Sequence, residues 1–155
     1  MLNLFSQLYK QKIHKQLDEY KNRIINNGFD YKFVKKETKQ GEPVLLYFSN
    51  NDEYIIIIHL LSIYKGKSTH SQINLIFSGS KLIIGDIQVL DKRIFNRGYG
   101  SVLLEIALEH AKERKIKVVE GVLATENETH FKRQKHFYEK FGFRIMGKSK
   151  IYLEL

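Results

Sequence analysis

The chain has 155 residues, 26 of them basic and 17 acidic for a formal net charge of +9, with 43% hydrophobic residues, one proline and no cysteine. That length and apolar content predict one folded domain over residues 1–155, with no low-complexity linker and no internal repeat, and the missing cysteine excludes disulfides and thiolate metal sites. The positive charge suits polyanions, nucleotide-like ligands or acidic partners without choosing among them, and no helix-turn-helix, zinc-finger or ribonucleoprotein spacing points to nucleic acid.

In chain order, Phe5, Tyr9, Ile13, Leu17, Tyr20 and Ile24 recur at helical spacing before Asn26-Asn27-Gly28, which predicts one amphipathic helix near residues 3–27. Strand-like runs follow at Phe29–Lys36 and Val44–Phe48, joined through Gln40-Gly41-Glu42, then at Tyr54–Tyr64 and Gln72–Phe77, turning through Lys65-Gly66-Lys67. The run Ile55–Tyr64 is the longest apolar one; His59 and Ser62 interrupt it and it is too short to span a bilayer. With no signal-peptide core at the N-terminus, the expectation is a soluble cytoplasmic protein without membrane contact.

Leu82–Leu90 reads as a central strand and Ser101–Arg114 as a helix burying Val102, Leu103, Ile106, Ala107 and Leu108, followed by a strand at Ile116–Ala124. Thr125 and Glu128 have capping-box spacing for a third helix ending near Lys140, with Gly142 as the stop, and Phe143–Met146 and Ile151–Leu155 close the chain as strands. Antiparallel hairpins followed by strand–helix–strand–helix–strand imply an α/β (α+β) domain with a mixed sheet and a parallel pair in its middle.

The segment between the central strand and its helix, Asn96-Arg97-Gly98-Tyr99-Gly100-Ser101, carries the most chemical information. Glycines at 98 and 100 let the backbone curl around an anion, and the first N–H groups of the next helix have no intrahelical partner and a favourable dipole. The same pattern also fits a tight turn without a ligand.

Two motifs resemble the GNAT superfamily of N-acetyltransferases. The first is that superfamily's Gln/Arg-x-x-Gly-x-Gly/Ala signature, here Phe95-Asn96-Arg97-Gly98-Tyr99-Gly100, which keeps both glycines and departs at Phe95. The second is a tyrosine-bearing helix ending in Gly-Phe, here Phe137-Tyr138-Glu139-Lys140-Phe141-Gly142-Phe143. Many relatives have Asn seven residues and Ala four residues before the tyrosine, where this chain has Phe131 and Gln134. The resemblance covers the C-terminal half closely and the N-terminal half by order of elements; the long first helix is an addition.

The resemblance implies a GNAT-like, mostly antiparallel sheet with a splayed central parallel pair and flanking helices. It also implies an acyltransferase that moves an acetyl group from acetyl-CoA to an amine-bearing small molecule, peptide or protein by direct attack, with no metal, as a monomer or homodimer. Asn96, Arg97, Gly98, Tyr99, Gly100 and Ser101 would cradle the pyrophosphate, and Val89 and Leu90 would pair with the pantetheine arm and stabilise the oxyanion. Tyr138 resembles the acid that protonates the departing thiolate. A lysine-like amine needs about 4 to 5 kcal/mol to reach its neutral form at neutral pH, so a base is expected; among Asp86, Glu120 and Glu126, the preferred residue is Glu120. A non-catalytic coenzyme A sensor or a basic interaction module is the alternative, kept open by Phe95, Phe131 and Gln134.

Overall fold

Alternating apolar residues build most of the sheet in this structure, a computed structural model that describes residues 3–50 and 52–155. The strands are β1 (Lys32–Glu37), β2 (Pro43–Asn50), β3 (Ile55–Tyr64), β4 (Lys67–Ser78), β5 (Lys81–Val89), β6 (Val118–Val122), β7 (Arg144–Met146) and β8 (Lys150–Glu154). The helices are α1 (Leu4–Asn26), α2 (Tyr99–Glu113) and α3 (Glu128–Lys140), with a single 3₁₀ turn at Lys92–Ile94. The strands form one sheet in the order β1-β2-β3-β4-β5-β6-β8-β7, in which only β5 and β6 pair in parallel.

Period-two burial sorts the side chains. Leu46, Ile58, Leu60, Ile73, Leu75 and Leu82 are buried with Leu103, Leu104 and Ala107 of α2 in the main core. Each such leucine contributes about 1.5–3 kcal/mol by leaving water. On the other face, Leu45 and Ile63 meet Ile13 and Leu17 of α1 in a smaller cluster. Ile13 and Leu17 are the fully buried members of the α1 stripe; Phe5 and Tyr9, read as part of the same face, are 79% and 57% exposed and lie outside the cluster that Ile13 and Leu17 form with Leu45 and Ile63.

The third helix begins differently from its expected capping box. Asn127 is its N-cap, and the Asn127 side chain accepts the His130 N–H at 3.0 Å, leaving Thr125 in the preceding loop. An Asn one residue ahead of the helix serves the orphan N–H groups directly, so no reciprocal Thr–Glu pair is required. The β4 strand is also longer than its apolar run, because Lys67–Ser71 continue the antiparallel ladder with Leu60–Tyr64 although their side chains are mostly polar.

What positions the site is an irregularity in β5. Ile73 pairs with Ile87 and Leu75 with Ile84, so Asn74 faces the two residues Gly85 and Asp86. The extra residue bends the strand and increases its twist. Parallel pairing with β6 ends at Ile84–Gly121, immediately before this bulge, and β5 continues to Val89 along a separate path.

Candidate active site

A cleft of about 950 Å³ opens where β5 leaves β6, and is lined by the end of β5 (Asp86–Leu90), the loop and helix start Ile94–Val102, α3 and the β1–β2 hairpin. Its floor is the turn at Gly98, which has φ +87° and is the N-cap of α2. No side chain caps this helix, so the N–H groups of Tyr99, Gly100 and Ser101 point outward toward the cleft with the positive end of the helix dipole. Anything with a Cβ at position 98 would be strained in that left-handed conformation. Gly100 needs no unusual backbone; a Cβ there would sit 3.7 Å from the Phe137 ring and 3.8 Å from Ile87, ordinary contact distances, so a methyl fits there and a larger side chain would press on α3 and β5.

The residues expected to bind the coenzyme converge. Val89, Leu90, Asn96, Arg97, Gly98, Tyr99, Gly100 and Ser101 all line the cleft. The Arg97 side chain, however, is occupied: its Nη2 donates to Glu42 Oε1, and its guanidinium lies 4.9 Å from the Tyr64 ring centroid. The Tyr99 hydroxyl donates to the other oxygen of Glu42 at 2.6 Å. Burial first, and then that hydrogen bond, pushes the Tyr99 phenol above its ordinary range. Glu42 therefore ties the β1–β2 hairpin to both flanks of Gly98. Nothing in a surface hairpin marks one carboxylate for such a role, so Glu42 is not legible as a site residue in the amino-acid sequence. Nor are Glu37, Thr38, Lys39 and Gln40, which form one wall of the cleft.

Tyr138 lies on the cleft-facing side of α3 and is 7% exposed, its ring edge-on to Phe137 and Phe143 at centroid distances of 5.1 and 5.3 Å. Burial, with a smaller contribution from Asp86, raises its phenol far above the usual value, so the hydroxyl keeps its proton across the physiological range.

The carboxylates separate clearly. Glu120, the base expected from sequence, does not line the cleft; it accepts from Lys81 at 3.3 Å and pairs with Lys150 at 3.4 Å. Burial opposes its charge, but the two lysines outweigh burial and hold the carboxyl below its ordinary value. The register explains the placement: Glu120 is opposite Ile83, upstream of the point where the strands part. Glu126 is exposed in the loop before α3 and also lies outside the cleft lining. Asp86, in the bulge, lines the cleft and accepts from Gln88 Nε2 at 3.3 Å. Among the described residues no group of three or more His, Cys, Asp or Glu side chains is placed to hold a metal ion.

Residues 73–145 match the family model of the acetyltransferase (GNAT) domain. Among solved structures the chain is similar to the PaiA N-acetyltransferase of Thermoplasma acidophilum in complex with coenzyme A, at 16% identity and TM-score 0.52, over 64% of this chain and 61% of that one. The similarity therefore spans less than two thirds of the Thermoplasma protein. It is also similar to the ribosomal-protein-S18-alanine N-acetyltransferase of Escherichia coli (17% identity, TM-score 0.53, 68% of this chain and 70% of that one). A domain from Methanocaldococcus jannaschii matches at 11% identity and TM-score 0.57, over 81% of this chain and 100% of that one. No curated protein matches the chain. No helix among the described residues is long and apolar enough to cross a membrane. At these identities the solved structures bear on the fold alone, and the family resemblance is carried by the matched segment, just under half of the chain. Residues 73–145, which hold both the glycine cradle and the tyrosine helix, match the acetyltransferase (GNAT) domain model, and the chain shares the fold of N-acetyltransferases of known structure.

Proposed function

We propose that the protein transfers an acetyl group from acetyl-CoA to a primary amine by direct attack, and that residues 1–155 act as one domain. The observation that carries this reading is the convergence, in one cleft, of an uncapped helix N-terminus, a strand edge freed by the β5 bulge, and a buried protonated phenol. The amides of Tyr99, Gly100 and Ser101 suit the pyrophosphate, and the backbone at Val89 and Leu90 suits the pantetheine arm and the oxyanion.

In the reaction the amine nitrogen forms a bond to the acetyl carbon, the carbon–sulfur bond breaks, the Tyr138 hydroxyl delivers its proton to the departing sulfur, and the proton lost by the amine nitrogen passes through water to restore the phenol. Asp86, the carboxylate lining the cleft beside the bulge, replaces Glu120 as the group that faces the incoming ammonium.

The test is thiol release from acetyl-CoA in the presence of amines, alongside calorimetry of coenzyme binding. Amine-dependent release is expected. Tight binding without release to any amine would favour a coenzyme A sensor, a reading that Phe95 in the opening signature slot and the sequestration of Arg97 by Glu42 keep specific.

A further inference from the structure

A single row of side chains crosses the sheet face opposite α2. Phe33 pairs with Tyr47, Tyr47 with His59, His59 with Gln72, and Gln72 with Gln88, each on the next strand from β1 to β5. Helix α1 covers the start of this row, where Phe33 packs against its cluster, and the row beyond it, Tyr47, His59, Gln72 and Gln88, is part-buried. This part-buried stretch is polar and ordered. Ser49 Oγ lies 2.7 Å from His59 Nε2, and His59 Nδ1 lies 2.9 Å from His70 Nε2. The Tyr47, His59 and His70 rings stack at centroid distances of 4.4 and 5.1 Å. Gln72 donates to Gln88 at 3.3 Å, and Gln88 donates to Asp86 at 3.3 Å. The row thus ends at Asp86, which lines the cleft from the β5 bulge.

We infer that this row is the acceptor site, and that the acceptor is the free α-amine of a peptide whose first residues are uncharged; the inference rests on the acetyl-transfer reading above. Charge complementarity selects the class. Asp86 places a carboxylate at the end of the row through Gln88, which suits one cation, while the +9 chain repels polycations. Glutamine amides, imidazoles and a serine hydroxyl both donate and accept, which suits peptide N–H and C=O groups. From Tyr47 to Gln88 the row spans about three strand spacings, roughly 14 Å, which is the reach of about four extended residues.

The acidity of the amine points the same way. Glu120 is held by Lys81 and Lys150 outside the cleft, and Asp86, at the end of the row, is placed to take up the ammonium proton. Roughly one α-amine in seven is already neutral at pH 7, against about one lysine amine in a few thousand. An α-amine therefore requires far less of a base. The transfer forms the amide bond at that nitrogen and releases coenzyme A as the thiol.

Acetyl-CoA with the tetrapeptide amide Ser-Ala-Gly-Ala, an N-acetylated Gly-Lys-Gly amide and spermidine provides the test at pH 7. The tetrapeptide should show a kcat/KM at least a hundredfold above the other two. His59→Gln and Gln72→Ala, two separate variants so that a folding defect in one leaves the other readable, should each raise the peptide KM at least fivefold and leave the acetyl-CoA KM unchanged. Equal or faster acetylation of lysine or spermidine, or wild-type peptide KM in both variants, overturns this inference and leaves the acetyl-transfer reading standing. No transfer to any amine by protein that binds acetyl-CoA overturns both.

Discussion

Glu42 accepts the Tyr99 hydroxyl at 2.6 Å through one carboxylate oxygen and the Arg97 guanidinium through the other, so a hairpin residue clamps both neighbours of the left-handed Gly98. A hydrogen bond to a charged group is worth about 1.5–3 kcal/mol, less where water competes, as it does at this half-buried node. Glu42→Gln should lower Tm by about 2–6 °C and weaken acetyl-CoA binding about fivefold. Calorimetry and thermal melts check both; unchanged affinity in a destabilised variant would make the clamp purely structural.

Gly100 separates two effects that the sequence could not. A Cβ at 3.7 Å from Phe137 is an ordinary contact, so Gly100→Ala should fold and bind normally. The branched side chain in Gly100→Val reaches into Phe137 and Ile87 and narrows the cleft, and acetyl-CoA affinity should fall at least tenfold. Affinity preserved in a folded Gly100→Val protein would move the phosphate site elsewhere.

Tyr138→Phe removes the hydroxyl and keeps the ring among Phe137 and Phe143. A positioned acid is worth about 10²–10⁴ in rate, and a thiolate is a fair leaving group, so kcat should fall about a hundredfold with coenzyme affinity and Tm little changed. Because the phenol is raised rather than lowered, its protonated form persists past pH 10, and wild-type kcat should show no loss from tyrosine ionisation below that pH. Equal rates in variant and wild type would end the acid assignment.

Charge at the cleft should come from residues other than Arg97. Lys39, Arg133 and Lys140 line the cleft, whereas Lys135 lies outside the lining and is 3.9 Å from Glu139. Arg133→Ala should weaken acetyl-CoA binding several-fold and flatten its dependence on ionic strength, and Lys135→Ala should do neither. Titrations at two salt concentrations distinguish them.

Stability should also fall in acid through the imidazoles. His59 is pushed down to about 4 by burial and then by His70, and burial lowers His70 and His110 as well. A histidine depressed in the folded state stabilises fully above its unfolded value near 6.5 and loses that contribution as pH falls toward the folded value. Tm should therefore drop by several degrees between pH 6.5 and 4, and by less in a His59→Gln, His70→Gln double variant. Parallel melting curves for the two proteins would contradict the assignment.

The strand alternation of Ile55–Tyr64, the apolar stripe of Val102–Ala107, the glycines at 98 and 100 and the tyrosine helix were legible in the amino-acid sequence, because each depends on local periodicity or on a backbone conformation that few residues adopt. The isolated Gly85 within a strand pattern was the one local hint of the bulge. The choice among carboxylates was not legible: Asp86 and Glu120 both look like an acid in an apolar strand, and only the parallel register puts Glu120 short of the splay between Lys81 and Lys150. Nor could local pattern reveal that Glu42 would meet Arg97 and Tyr99 more than fifty positions later, or that Ser49, His59, His70, Gln72 and Gln88 would share one face. Such contacts are made across strands, where the hydrogen-bonded ladder sets which side chains become neighbours and sequence spacing carries no record of it.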